Sequence, residues 1–157
     1  TARSIYERIS DEFEFKIFLA DVRNNNVEKS GLPHLQKQLL STLGMEKKDK
    51  WDVHDGAAMI RRFLCGKKVL LILDDVNHFD QLEFLAGNQD WFGLRSRVLI
   101  TTRNEHLLIK HGVEKRFKLK GLDNEEALQL FSKKAFKKDY PEPGYVALSN
   151  RVVNYSK

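Results

Sequence analysis

The chain has 157 residues, with 27 basic and 22 acidic side chains and a formal charge of +5. Hydrophobic residues make up 41% and charged residues 31%, enough to bury a core, which excludes wholesale disorder and fits one domain, or one domain plus part of another. No apolar run approaches the ~20 residues of a membrane-spanning helix, and the charges between Arg3 and Glu14 interrupt any signal-peptide core.

Ile5, Tyr6 and Ile9 fall at helical spacing, so Thr1 to Ser10 reads as the end of a helix. The chain opens there without a methionine, as a segment of a longer protein would. Lys16 to Val22 (KIFLADV) is a candidate buried strand. Leu32, Leu35, Leu39, Leu40 and Leu43 share one helix face with Gly44 as a stop, and Val53, Ala57, Ile60 and Leu64 make a second stripe. Within Lys67 to Val76 the aliphatics Val69 to Leu73 run without alternation, the mark of a central parallel strand buried on both faces. A short helix is expected over Phe79 to Leu85, a buried strand over Arg97 to Thr102, and a further short strand over Phe117 to Leu119. Past Gly121 the pattern is helical only. Asp123 and Glu126 have capping-box spacing, Ala127, Leu128, Phe131 and Ala135 form an apolar face, and Tyr145, Leu148 and Val152 mark one more helix. Alternating helices and strands predict an α/β fold, a parallel sheet with helices on both faces. We expect that domain over residues 1–121 and the start of an all-helical one over 122–157.

The chemistry concentrates at two strand ends. Val69-Leu70-Leu71-Ile72-Leu73-Asp74-Asp75 is an apolar strand that ends in two carboxylates, at the sheet edge where open α/β folds bind ligands. In P-loop NTPases an acid there holds Mg²⁺, and a second could act on the attacking water. Equally, Asp74 and Asp75 could simply end a strand and begin a turn. Ile100-Thr101-Thr102-Arg103 is a second apolar strand with a polar end, and an Arg there could sense a terminal phosphate, or be a plain surface Arg. The two together favour a nucleotide site.

Other chemistries find little support. No Gly-x-x-x-x-Gly-Lys-Ser/Thr string and no Gly-x-Gly-x-x-Gly fingerprint occurs. His106 and His111 lie five apart, which does not put them on one helix face, and His34, His54 and His78 are isolated. The single Cys65 excludes an internal disulfide framework and suits a reducing compartment. Lys and Arg are interleaved with acids, as in Glu46-Lys47-Lys48-Asp49-Lys50, so the surplus charge reads as a solvated surface and not as a direct nucleic-acid interface.

Four segments in order resemble the NB-ARC domain of plant disease-resistance proteins, in the class with an N-terminal Toll/interleukin-receptor (TIR) domain and C-terminal leucine-rich repeats. Lys68 to Val76 is similar to the family's Walker B motif and Ser96 to Arg103 (SRVLITTR) to its phosphate-sensor motif. Phe18 to Arg23 (FLADVR) resembles the segment after the P-loop helix, and Leu119 to Phe136 resembles the passage into the helical ARC subdomain. Asn77, where the coiled-coil class has Trp, goes with the TIR class. Leu94-Arg95 departs from the usual Pro-Gly turn. Against that family the chain would begin just after the P-loop and end just before the Gly-Leu-Pro-Leu motif, so its P-loop NTPase-like sheet would lack its first strand.

The resemblance implies an ADP/ATP switch in a cytoplasmic or nucleocytoplasmic immune receptor, acting in defence. ADP would hold the resting state, ATP would favour an open homo-oligomer, and slow hydrolysis would reset it. The partners would be nucleotide and the receptor's own TIR (NAD-cleaving class) and leucine-rich-repeat domains. Asp74 would take Mg²⁺, Asp75 would position or activate water, Arg103 would read the γ-phosphate, and Thr102 would support it. The segment alone would be inactive for lack of the P-loop. Two other readings are a non-enzymatic interaction module, which the retention of both Asp74 and Asp75 disfavours, and another signal-transduction ATPase with a separate DNA-binding domain.

Overall fold

The structure, a computed structural model, describes residues 2–24, 31–45 and 52–155. Thr1, Ser156 and Lys157, at the ends of two expected helices, lie outside them. Two compact units divide the chain, Thr1–Arg116 and Phe117–Lys157.

The first unit is a three-stranded parallel sheet in the order β1 (Phe15–Leu19), β2 (Val69–Val76), β3 (Arg97–Thr102). Its helices are α1 (Ala2–Ile9), α2 (Gly31–Thr42), α3 (Val53–Leu64), α4 (Phe79–Leu85) and α5 (Glu105–Lys110). This is a P-loop NTPase-like α/β fold.

The unbroken aliphatic run of β2 follows from its place in the middle. Val69, Leu71 and Leu73 join the large core cluster, with Leu35, Leu39, Ile60, Leu64 and Leu82 from α2, α3 and α4. Leu70 and Ile72 face the other way, into a smaller cluster with Ala2 and Phe13, against which Tyr6 and Ile9 pack. Helices therefore cover both faces, and each fully buried Leu or Ile contributes roughly 1.5–3 kcal/mol. β1 is shorter than the pattern predicts. It stops at Leu19, and Asp21 takes a left-handed backbone (φ 51°). The chain nonetheless stays beside β2, because the N–H groups of Val22 and Arg23 donate to the carbonyls of Asp74 and Asp75 at 2.9 and 3.1 Å.

The expected strand over Phe117–Leu119 does not form. No ladder partner faces it among the described residues, and Phe117 and Leu119 are 86% and 75% exposed. The second unit starts there and holds α6 (Asn124–Ala135) and α7 (Val146–Tyr155). The Asp123 carboxylate accepts the Glu126 N–H at 2.8 Å and Glu126 returns a bond to the Asp123 N–H, the capping box read from sequence. Ser132 and Ser149, one on each helix, are buried.

One buried amide ties three helices of the first unit. Gln36 on α2 donates through Nε2 to the carbonyls of Val53 and Phe84, at 2.8 and 3.1 Å. A Cβ on Gly56 would stand 2.1 Å from Gln36 Oε1. Gly→Ala inside a helix normally stabilises by about 0.5–1 kcal/mol. Here Gly56→Ala should instead destabilise by about 1–3 kcal/mol, the cost of expelling the Gln36 amide from its two carbonyls. Urea melts should show that sign, and the same substitution in a Gln36→Ala background should regain its helix-favouring sign.

Burial holds the His111 imidazole below the ordinary histidine value of 6.5, against the opposing carboxylate of Glu83 and a backbone hydrogen bond at Gly87. Just below pH 6.5 the unfolded chain thus binds more protons than the folded one, so stability falls as the pH drops through that value. It should level off once His111 is also protonated in the folded state. His111→Gln should flatten this part of a stability profile taken from pH 7.5 to 5.

Candidate functional site

The C-terminal edge of the sheet is built around an irregularity. Leu73 pairs with Ile100 and Val76 with Thr102, so Asp74 and Asp75 together oppose Thr101 alone. Asp75 accommodates the extra residue with a left-handed backbone (φ 57°), which Asp tolerates better than most residues. The Thr101 hydroxyl replaces the broken ladder. It accepts the Asp75 N–H at 2.8 Å and donates to Asp74 Oδ1 at 2.6 Å.

The Asp75 carboxylate meets two guanidinium groups. Arg23, two residues beyond the left-handed Asp21, donates from Nη2 to Oδ1 at 3.1 Å. Its Nε lies 3.0 Å from Oδ2 but without the alignment of a hydrogen bond, and is otherwise buried. Arg103 stands farther off, with Nε 3.7 Å from Oδ1 and a side chain 79% exposed, against 32% for Arg23 and 26% for Asp75.

Thr102 faces the strand end. Its hydroxyl donates to the Val76 carbonyl at 2.7 Å and accepts the Asn104 N–H at 3.0 Å, while the Asn104 side chain caps α5 by accepting the His106 N–H. The turn after β2 is held by the buried Gln81. Its Oε1 accepts the N–H groups of Asn77 and His78, and its Nε2 reaches the Val22 carbonyl at 3.3 Å. The ends of β1, β2 and β3 are therefore fixed together by side chains.

The structure thus brings Asp74, Asp75 and Arg103 to one edge, while the Thr102 hydroxyl is engaged with the Val76 carbonyl and the Asn104 N–H. A profile of the NB-ARC domain matches residues 2–140 of the chain. The chain belongs to the NB-ARC family. It is 41% identical to the disease resistance protein RPV1 and 42% identical to RUN1, both of Vitis rotundifolia, over 98% of its length. It is 39% identical to the TMV resistance protein N of Nicotiana glutinosa over 99% of its length. The chain spans only 11–14% of the length of these relatives. No helix among the described residues is long and apolar enough to cross a membrane.

The carboxylates at this edge could serve a Mg²⁺ ion that takes its remaining ligands from elsewhere. Mg²⁺ is usually held by one or two carboxylates with waters and phosphate oxygens, not by a full protein cage. Asp74 offers such a carboxylate: Thr101 takes one oxygen, and no ion pair to Asp74 occurs among the described residues. Asp75, by contrast, is shared between cations.

Two contributors escape the sequence reading. Arg23 lies inside the FLADVR segment but 52 residues from Asp75, with nothing in its neighbourhood to announce a carboxylate partner. Thr101 gains its role from the bulge, which strict strand alternation does not reveal. Thr101→Val should leave the Asp75 N–H and Asp74 Oδ1 without this partner and cost about 1–3 kcal/mol in a denaturant melt. Thr101→Ser should retain most of the stability.

Proposed function

We propose that this chain is the nucleotide-sensing part of the switch in an intracellular plant immune receptor of the TIR, leucine-rich-repeat class. ADP holds the resting state, ATP favours an open, oligomerising state, and slow hydrolysis resets it. The observation that carries this reading is the joining of Asp74, Asp75 and Arg103 at the C-terminal edge of two parallel strands, where α/β folds take their ligands. Family membership and similarity to disease resistance proteins support the defence role.

In this reading Asp74 holds Mg²⁺, and Arg103 meets the terminal phosphate with charge-assisted hydrogen bonds. Asp75 positions the attacking water, with Arg23 fixing its carboxylate. Thr102 keeps the Arg103 backbone in place through the Val76 carbonyl. The bound Mg²⁺ would neutralise phosphate charge as the terminal bond breaks. A ligand shifts a two-state protein only by binding one state better. Arg103 is the group able to distinguish a third phosphate from two.

The test is nucleotide binding by the complete receptor that carries this sequence, with a fluorescent ATP analogue in Mg²⁺ and in EDTA. Asp74→Asn should remove about tenfold or more of the affinity gained with Mg²⁺, or about 1.4 kcal/mol. Equal Mg²⁺ dependence in the variant and the native protein would overturn the assignment.

A further inference from the structure

Arg23 has no role in the reading above beyond fixing a carboxylate, yet its placement carries more. Asp75 has one negative charge and two guanidinium neighbours, and they hold it unequally. Arg23 is half-buried and donates directly, whereas Arg103 stays at 3.7 Å and mostly in solvent. Arg23 is anchored at both ends of its short reach: its own N–H donates to the Asp75 carbonyl at 3.1 Å, while its side chain holds the Asp75 carboxylate. Asp75 in turn cannot swing away, because its N–H is held by Thr101 in a left-handed backbone. Arg103 has no such restraint.

We propose that Arg23 is a positioning residue that occupies Asp75 and thereby keeps Arg103 available to an incoming anion. With Arg23 in place, the charge of Asp75 is already matched, and Arg103 gains little by closing the remaining distance. Without Arg23, a partly buried carboxylate is left unmatched, and among the described residues Arg103 is the other cation paired with it. It closes onto Asp75 and is withdrawn from solvent. The same two arginines thus divide the work, one neutralising the site's own acid and the other remaining free for the ligand's. The ligand in question is the terminal phosphate of a nucleoside triphosphate, and that part rests on the function proposed above.

The first arm needs no nucleotide. In the 157-residue chain, the Arg103 Nε–H is followed by ¹⁵N NMR, and its solvent exchange is measured. Arg23→Met should slow that exchange about three- to five-fold, as expected for a new, partly exposed ion pair. Adding Asp75→Asn should restore the native rate, because the captor has lost its charge. Arg23→Lys, which keeps the charge, should behave as native. Arg23→Gln removes the charge but keeps a donor for Oδ1, and serves should the Met variant not fold. Unchanged Arg103 exchange in the charge-removing variants would overturn the proposal.

The second arm measures ATP and ADP affinities of the complete receptor. Arg23→Met should lower the ATP-to-ADP preference about tenfold, and Arg23→Met with Asp75→Asn should recover it. A merely structural loss would not be rescued by a second substitution. Capture of Arg103 in the first arm with an unchanged nucleotide preference would remove Arg103 from phosphate sensing, and with it that part of the function. The charge division itself would stand. No recovery of the Arg103 exchange rate in the double variant of the first arm would overturn the division.

Discussion

The Thr101 hydroxyl ties β3 to both aspartates at the C-terminal edge of this sheet. It accepts one N–H from β2 and donates to a carboxylate on the same strand, from the neighbouring strand β3. Successive residues of a regular strand point to opposite faces, so consecutive carboxylates would ordinarily be separated by the sheet itself. The bulge at Asp74-Asp75 breaks that alternation, and the left-handed conformation of Asp75 is part of the same distortion. Such conformations cost of order 1–3 kcal/mol each and persist only where the surroundings fix them. Thr101 is one such fixture, and the Arg23 N–H on the Asp75 carbonyl is another.

The rigidity behind that edge comes from the rest of β2. Leu70 to Leu73 are essentially inaccessible on both faces of the sheet, so the strand has no freedom to shift its register without exposing an entire face. The opposite end of the β2–β3 pair is stitched the same way. The Ser96 hydroxyl accepts the Val69 N–H at 2.9 Å and donates to the Lys67 carbonyl at 3.0 Å. Two short hydroxyl side chains therefore complete the pairing where the regular ladder gives out. Gln36 and Gln81 do comparable work at the helix ends and turns, where backbone groups have no ladder partner.

What was legible in the sequence follows from this division of labour. The aliphatic run of β2, the leucine stripe of α2 and the Asp123–Glu126 box are set by burial and by local backbone chemistry, and each shows in its own few residues. Phe117–Leu119 has strand-like composition, but a strand needs a partner as well as propensity, and that requirement is not local. That Asp74, Asp75 and Arg103 lie together at one edge was legible, since these residues sit at strand ends. Thr101 and Thr102 are adjacent and chemically alike. Only the register slip of the bulge decides that the first bridges the two aspartates while the second turns to the Val76 carbonyl. Arg23 depends on a contact across 52 residues of sequence, which no spacing rule supplies.

The charge balance of the edge gives these details a common sense. Two aspartates alone would repel a polyphosphate: at 4 Å each pair of like charges costs about 1 kcal/mol in water and several times that where water is partly excluded. A site of the proposed kind, with acid for a metal and an anion to receive, must therefore separate its acids by role. Here Thr101 orients Asp74 without neutralising it, which leaves a carboxylate suited to a divalent cation. Arg23 pairs with Asp75 more closely than Arg103 does, and in the proposed division of labour this leaves Arg103 for the ligand. Because Asp74 and Asp75 are adjacent in the chain, composition cannot distinguish them. Their neighbours on β3 and at the end of β1 do, and that difference in surroundings is what suits two identical side chains to the two tasks proposed for them.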